Sequence, residues 1–190
     1  TGTDSLTVYP APVTKLRYIL PSTTVVAGVP FDAYLGAYDQ YDNLCSTGPN
    51  IYLGTVTFVT TDQPNPNQDP SVVSVSTRFY TSDAGLKYLP LWFTLRKAGT
   101  DYIGAFDEAN PNIKVDPLQE VKVLPGDIYG FKVNPYDDTL VSAGSLANPG
   151  RQTLTAQLID AYDNPISSQG VPAYIQIVQV YGSTGVLQWQ

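Results

Sequence analysis

A chain of 190 residues that is 43% hydrophobic and only 14% charged can bury a core, and its length suits two domains of about 100 residues each. Ten Lys and Arg against 17 Asp and Glu give a net charge of −7 spread thinly along the chain, with no basic footprint for nucleic acid or an anionic membrane. With no histidine, the commonest general base, the serine-protease type of triad and the commonest metal ligand are all excluded.

One thiol, Cys45, forms no intrachain disulfide and no thiolate zinc site. The absence of methionine marks the chain as an expected processed product or excised fragment, any signal peptide being already gone. No uncharged apolar run approaches the roughly 20 residues that span a bilayer, so direct membrane insertion is not expected.

In chain order, "GTDSLTVYP" (residues 2–10) looks like a shortened "GTDYIGAFDEANPNIKVDPLQEVKVLP" beginning at Gly99, so residues 1–11 are expected to be the closing strand of a preceding repeat. Scattered prolines and glycines, with no stretch of helix length at the helical period, predict an all-β chain. Ala33, Leu35 and Ala37 alternate with Tyr34 and Gly36 as a half-buried strand does. "AYDQYDN" follows, with Asp39 placed to accept hydrogen bonds from nearby amides, the pair Asp42-Asn43 suited to a left-handed turn, and Tyr41 expected to cap the end of a sandwich. Further strands are predicted around Val56 and Phe58, and where Leu89, Leu91, Phe93 and Leu95 face away from Pro90, Trp92, Thr94 and Arg96. "SDAG" and "KAGT" put glycine at turn positions and read as hairpin connections.

The second half repeats the first. Asp39 aligns with Asp160 at an offset of 121, pairing Ala33, Leu35 and Ala37 with Leu154, Ala156 and Leu158 in a volume-conserving exchange. Tyr162, Asp163 and Asn164 repeat the turn. "VYPAPVTKLRY" from Val8 resembles "VLPGDIYGFKV" from Val123 at an offset of 115, which assigns about six extra residues to "YDDTLVSAGSLANPG". A complete domain over 12–124 and a partial one over 125–190 are expected. The repeated motif reads as a strand terminator, repeated because the fold is repeated.

Together "AGVPFDAYLGAYDQYDN", "FYTSDAGLKYLPLWFTLRKAGTDYIGAFD" and "VKVLPGDIYGFKV" resemble the tandem immunoglobulin-like repeats of large bacterial surface proteins, of the adhesin, invasin or surface-layer type. The family turn usually reads Asp-x-Tyr-Gly-Asn, and Asp42 and Asp163 stand here in the glycine's place. Filamin-type repeats, with a similar "TVxPAP" ending at residues 7–12, are the second comparison. The resemblance implies tandem Ig-like β-sandwiches, the second incomplete, serving as a non-catalytic rod, spacer or surface-assembly module of an extracellular or cell-surface protein. Its implied partners are neighbouring repeats of the same protein, with self-association through unpaired strands as a further mode. A glycan-binding or adhesive module is the alternative, and a filamin-like intracellular scaffold ranks third.

Two sharper sites stand beside bland readings. Tyr34, Tyr38 and Trp92 fall on outward strand positions and could stack on glycan rings, although aromatics also serve cross-strand pairing. "FDEANPN" gathers the hard oxygen donors Asp107, Glu108, Asn110 and Asn112 as a calcium candidate, or an ordinary acidic loop; otherwise no cofactor is expected. No carboxylate pair is marked for glycoside hydrolysis, so no catalytic residue is assigned. Cys45, whose counterpart is Ile166, reads as a partly buried, inert thiol. No Asn-x-Ser/Thr site occurs.

Overall fold

The computed structural model describes residues 6–61, 76–135 and 154–167. The chain divides into two compact units, Thr1–Gly126 and Asp127–Gln190. The described residues form β-strands, two short 3-10 turns and loops, with no α-helix among them. Nor, among them, is any helix long and apolar enough to cross a membrane.

In the first unit, β1 (Lys15–Ile19), β3 (Phe31–Tyr38) and β6 (Leu86–Phe93) make a three-stranded antiparallel sheet in the order β1-β3-β6. The other sheet has the order β2-β8-β7-β4-β5, from β2 (Thr24–Val26), β4 (Thr55–Thr60), β5 (Ser76–Arg78), β7 (Gly99–Asp107) and β8 (Gln119–Leu124). Its pairs are antiparallel except β2 with β8, which run parallel with Val25 opposite Val123.

Period-two alternation aims one face of each sheet at the other. Leu16 and Tyr18 of β1 and Ala33, Leu35 and Ala37 of β3 are buried, as are Val56 and Phe58 of β4 and Val121 and Val123 of β8. Each large side chain so buried contributes about 1.5–3 kcal/mol. The ring of Phe93 meets that of Phe58 edge-on at 5.6 Å, joining β6 to β4. Tyr18 reaches across from β1 to donate its hydroxyl to the Gly104 carbonyl of β7 at 3.1 Å. Burial pushes the Tyr18 phenol far up, which keeps that donor proton in place. The unit is a two-layer β-sandwich.

Two expectations change. "SDAG" and "KAGT" are turns, with left-handed φ at Ala84 (46°) and Gly85 (75°) and a φ of 140° at Gly99, but they are not hairpins. Each carries the chain between sheets: β5 and β7 belong to the five-stranded sheet, and β6 between them to the other. Leu91 does not face the core beside Leu89 and Phe93. Ala33 pairs with Leu89 and Phe31 with Phe93, so three residues of β6 oppose Asp32 alone in a bulge. Leu91 takes a φ of 47° and is exposed.

In the second unit, β9 (Gly130–Pro135) pairs antiparallel with β10 (Leu154–Ile159). Ala156 is exposed and Leu158 half-buried, unlike the fully buried Leu35 and Ala37 with which they align. The expected insertion in "YDDTLVSAGSLANPG" lies outside the described residues.

Candidate functional site

The duplicated turn is built around a carboxylate. Leaving β3, Asp39 is fully buried, and its Oδ1 accepts the amides of Tyr41 and Asn43, both at 2.9 Å. Its Oδ2 accepts Asn43 Nδ2 at 3.0 Å and the amide of Ala11, 28 residues earlier, at 2.8 Å. Burial alone would push this carboxyl up, but the bonds from Asn43, Ala11 and Tyr41 outweigh it and hold the pKa at about 2.

Asp42, the residue in the glycine's place, sits at a φ of 67°, a conformation that aspartate tolerates better than most side chains. Its carboxylate meets Lys15 at 2.6 Å and Arg17 at 2.9 Å, and those two partners draw its pKa down. Arg17 also lies 5.2 Å above the ring of Tyr38. Tyr41 does not cap the sandwich: it is 71% exposed, because the turn needs only its amide.

The second unit repeats this geometry. Asp160 accepts the amides of Tyr162 and Asn164 at 2.8 and 3.0 Å and Asn164 Nδ2 at 2.8 Å. Asp163 has a φ of 63°. Tyr162 is half-buried. Beyond the turn, the amide of Cys45 donates to Ala37 and that of Ile166 to Leu158, again 121 residues apart. Lys15 faces Tyr38 in the first unit as Gly130 faces Ile159 in the second, so β9 and β10 reproduce the pairing of β1 and β3 at offsets of 115 and 121.

The aromatic candidates do not form one platform. Tyr34 stacks on Tyr88 across β3 and β6 with centroids 4.9 Å apart, on the outer face of the three-stranded sheet. Tyr38 lies back over Gly36 on that face, where an added Cβ would collide with its ring. Trp92, displaced by the bulge, turns its ring to within 5.7 Å of Phe58 at the edge of the core. Asp32 joins bulge and face: Oδ1 accepts the Leu91 amide and Oδ2 the Tyr88 hydroxyl, both at 2.8 Å, and these bonds, the amide's first, lower its pKa.

The oxygens of the acidic loop are taken up by its own turn and by the hydroxyls of Tyr52 and Thr57. Asp107 is buried; its Oδ1 accepts the amides of Ala109 and Asn110 at 2.8 Å, and its Oδ2 accepts the hydroxyl of Tyr52. Burial first, and then that carboxylate, push the Tyr52 phenol up. Glu108 takes a hydrogen bond from Thr57 at 2.8 Å, and Asn110 Oδ1 one from the Asn112 amide at 3.3 Å. Among the described residues no group of three or more Cys, Asp or Glu is arranged to hold a metal ion. Cys45 is fully buried, and burial, with Asp39 adding to it, pushes its thiol up.

Sequence reasoning missed Asn50, Tyr52, Gly54, Asp32 and Tyr88. Their partners lie between 40 and 59 residues away, except that Gly54 acts by leaving room for Tyr52 and Asp107. No local pattern marks such pairs.

No protein-family model matches the chain, and no curated protein matches it. Among solved structures it is similar to FdeC, an Escherichia coli adhesin, at 16% identity and a TM-score of 0.43, over 83% of this chain and 44% of that one. It is also similar to domains 5-6 of the S-layer protein SbsC, at 15% identity and a TM-score of 0.33, over 83% of this chain and 67% of that one. The chain thus spans less than half the length of the adhesin structure.

Proposed function

We propose that this chain is a non-catalytic structural module of a large extracellular or cell-surface protein, a rod, spacer or surface-assembly segment made of Ig-like units in tandem. The observation that carries this reading is the duplicated pairing: two strands and a buried-carboxylate turn recur in the second unit in the same register. The strand orders β1-β3-β6 and β2-β8-β7-β4-β5 support an Ig-like sandwich for the first unit.

The way the first unit closes also suits a load-bearing spacer. β2 lies near its beginning and β8 at its end, and the two run parallel. Tension applied along the chain therefore shears their hydrogen bonds together rather than unzipping them singly. Ala27 extends the contact by donating its amide to Leu124 at 2.8 Å, and Lys122 donates to Thr23 at 2.8 Å.

Single-molecule pulling on the full chain tests the reading. The first unit should rupture in one step, at a force that falls clearly in Ala27→Pro, which removes the donor to Leu124. Gradual extension without a rupture step would count against a load-bearing role. The adhesive alternative draws on the Tyr34–Tyr88 pair with Asp32 beside it. A glycan array probed with the chain and with Tyr88→Ala distinguishes it: binding lost in the variant favours adhesion.

A further inference from the structure

Leu6 and Val8 stand ahead of the first strand, two residues apart and 90% and 82% exposed. The offset of 115 that carries β1 onto β9 also carries residues 6–9 onto residues 121–124 of β8, where Val121 and Val123 are 0% and 2% exposed. In β8 those valines face the core, with Val121 paired to Asp101 of β7 and Val123 to Val25 of β2. Residues 6–9 carry the same apolar alternation and belong to no strand of the first unit.

The chain is tied down immediately after them. Tyr9 packs its ring on Gly48, whose φ of +73° and lack of a Cβ make room for it. The Pro10 carbonyl accepts Asn50 Nδ2 at 2.9 Å, the Ala11 amide enters the Asp39 carboxylate, and the Ala11 carbonyl lies 3.6 Å from Cys45 Sγ. A strand terminator needs only the Tyr41 and Asn43 amides. The bond to Ala11 gives Asp39 a second task.

We propose that residues 6–9 are the closing strand of a neighbouring unit of this same fold, ahead of the one to which they are tied, and that the Asp39 turn is the joint fixing that strand's bearing on the unit that follows. This rests on the tandem-unit reading above. The partner surface is the slot in the five-stranded sheet between the equivalents of β7, antiparallel, and β2, parallel, with apolar positions for Leu6 and Val8 in place of Val121 and Val123. Leucine in place of Val121 adds one methylene at a fully buried position, which the facing side chains of the preceding unit take up by repacking. A unit in the same chain is favoured over a second copy, because residues 121–124 run into residues 125–129 and β9 just as residues 6–9 run into residues 10–14 and β1.

The test joins a copy of residues 10–120 directly to Leu6 of the chain and follows amide hydrogen exchange. At residues 6–9 exchange should slow by about 100-fold relative to the 190-residue protein, as for amides of a paired core strand. Unchanged exchange overturns the proposal. So does slowing that appears in the 190-residue protein itself as its concentration rises, since that would give the strand to a second copy. The pair Leu6→Asp and Val8→Asp should abolish the unfolding transition of the added unit and leave that of the following unit in place; two intact transitions overturn the proposal as well. For the joint, Asn50→Ala leaves the Asp39 carboxylate untouched, so it reads the tie even where Asp39→Ala fails to fold. It should broaden the distance distribution between spin labels on the two flanking units, and an unchanged distribution overturns the joint. Small-angle scattering of the extended chain reads the rod independently: a compact particle with protected 6–9 amides would fail the rod alone, and an elongated one with unprotected amides the closing strand alone.

Discussion

Asp39 is a buried carboxylate stabilised by its donors, and its behaviour follows from counting them. Asp39→Ala leaves the amides of Ala11, Tyr41 and Asn43 and the Asn43 side chain without their acceptor, and the first unit should melt about 5–10 °C lower by calorimetry. Folding depresses this carboxyl from its ordinary 3.8 to about 2, so its contribution is complete above about pH 4 and is lost as the pH falls through about 2. Denaturant midpoints measured from pH 5 down to pH 2 should drop accordingly, and the drop should be shallower in Asp39→Asn. Gly54 is as exacting for a steric reason. A Cβ there would fall on the Tyr52 hydroxyl and Asp107 Oδ2, so Gly54→Ala should cost about 2–3 kcal/mol in urea unfolding, more than the ~1–2 kcal/mol expected of Tyr52→Phe.

At the scale of elements, β6 shows how one strand serves two demands. It lies at the edge of the three-stranded sheet, where an exposed ladder would invite pairing with another chain. Pro90 offers no amide, and the bulge at Leu91 breaks the ladder, so this edge is blunted within its own sequence. The cost is a leucine held at a φ of 47°. Leu91→Gly should therefore stabilise the unit by about 0.5–1 kcal/mol in chemical denaturation, provided the Asp32 carboxylate still takes the residue-91 amide. Asp32→Ala should have the opposite effect, seen as faster exchange of the Leu91 amide. In the other sheet, the parallel β2–β8 pair closes the first unit between residues 98 apart in sequence, a long-range contact formed at the cost of loop closure.

For the whole molecule, the division at Gly126 makes a direct prediction. Residues 1–126 expressed alone should fold cooperatively, with a melting temperature within about 3 °C of the corresponding transition in the full chain, because both sheets and the buried apolar residues between Leu16 and Val123 belong to that unit. A shift much beyond this would mean that the unit draws stability from outside its own core.

How much of this was legible beforehand depends on the range of each interaction. Alternation in β3 and β4, the all-β character and the buried-carboxylate turn are local: Asp39 meets Tyr41 and Asn43 two and four residues away, and the left-handed position falls on Asp42 as its chemistry allows. The recurrence of one strand pair is legible too, because two offsets in the sequence carry the β1–β3 pairing onto that of β9 and β10. What only the tertiary structure decided are the meetings of distant residues. Leu91 departs from the alternation of its strand because a bulge is set by the partner strand and by Asp32, 59 residues away. Trp92 left the outer face for the same reason. "SDAG" and "KAGT" announce turns through their glycines, but whether a turn closes a hairpin or crosses between sheets depends on where the next strand finds a buried surface. The sequence alone determined the local backbone through φ preference and apolar period; the tertiary structure decided the pairing, because a strand's neighbour is chosen by burying both faces of a shared core at once.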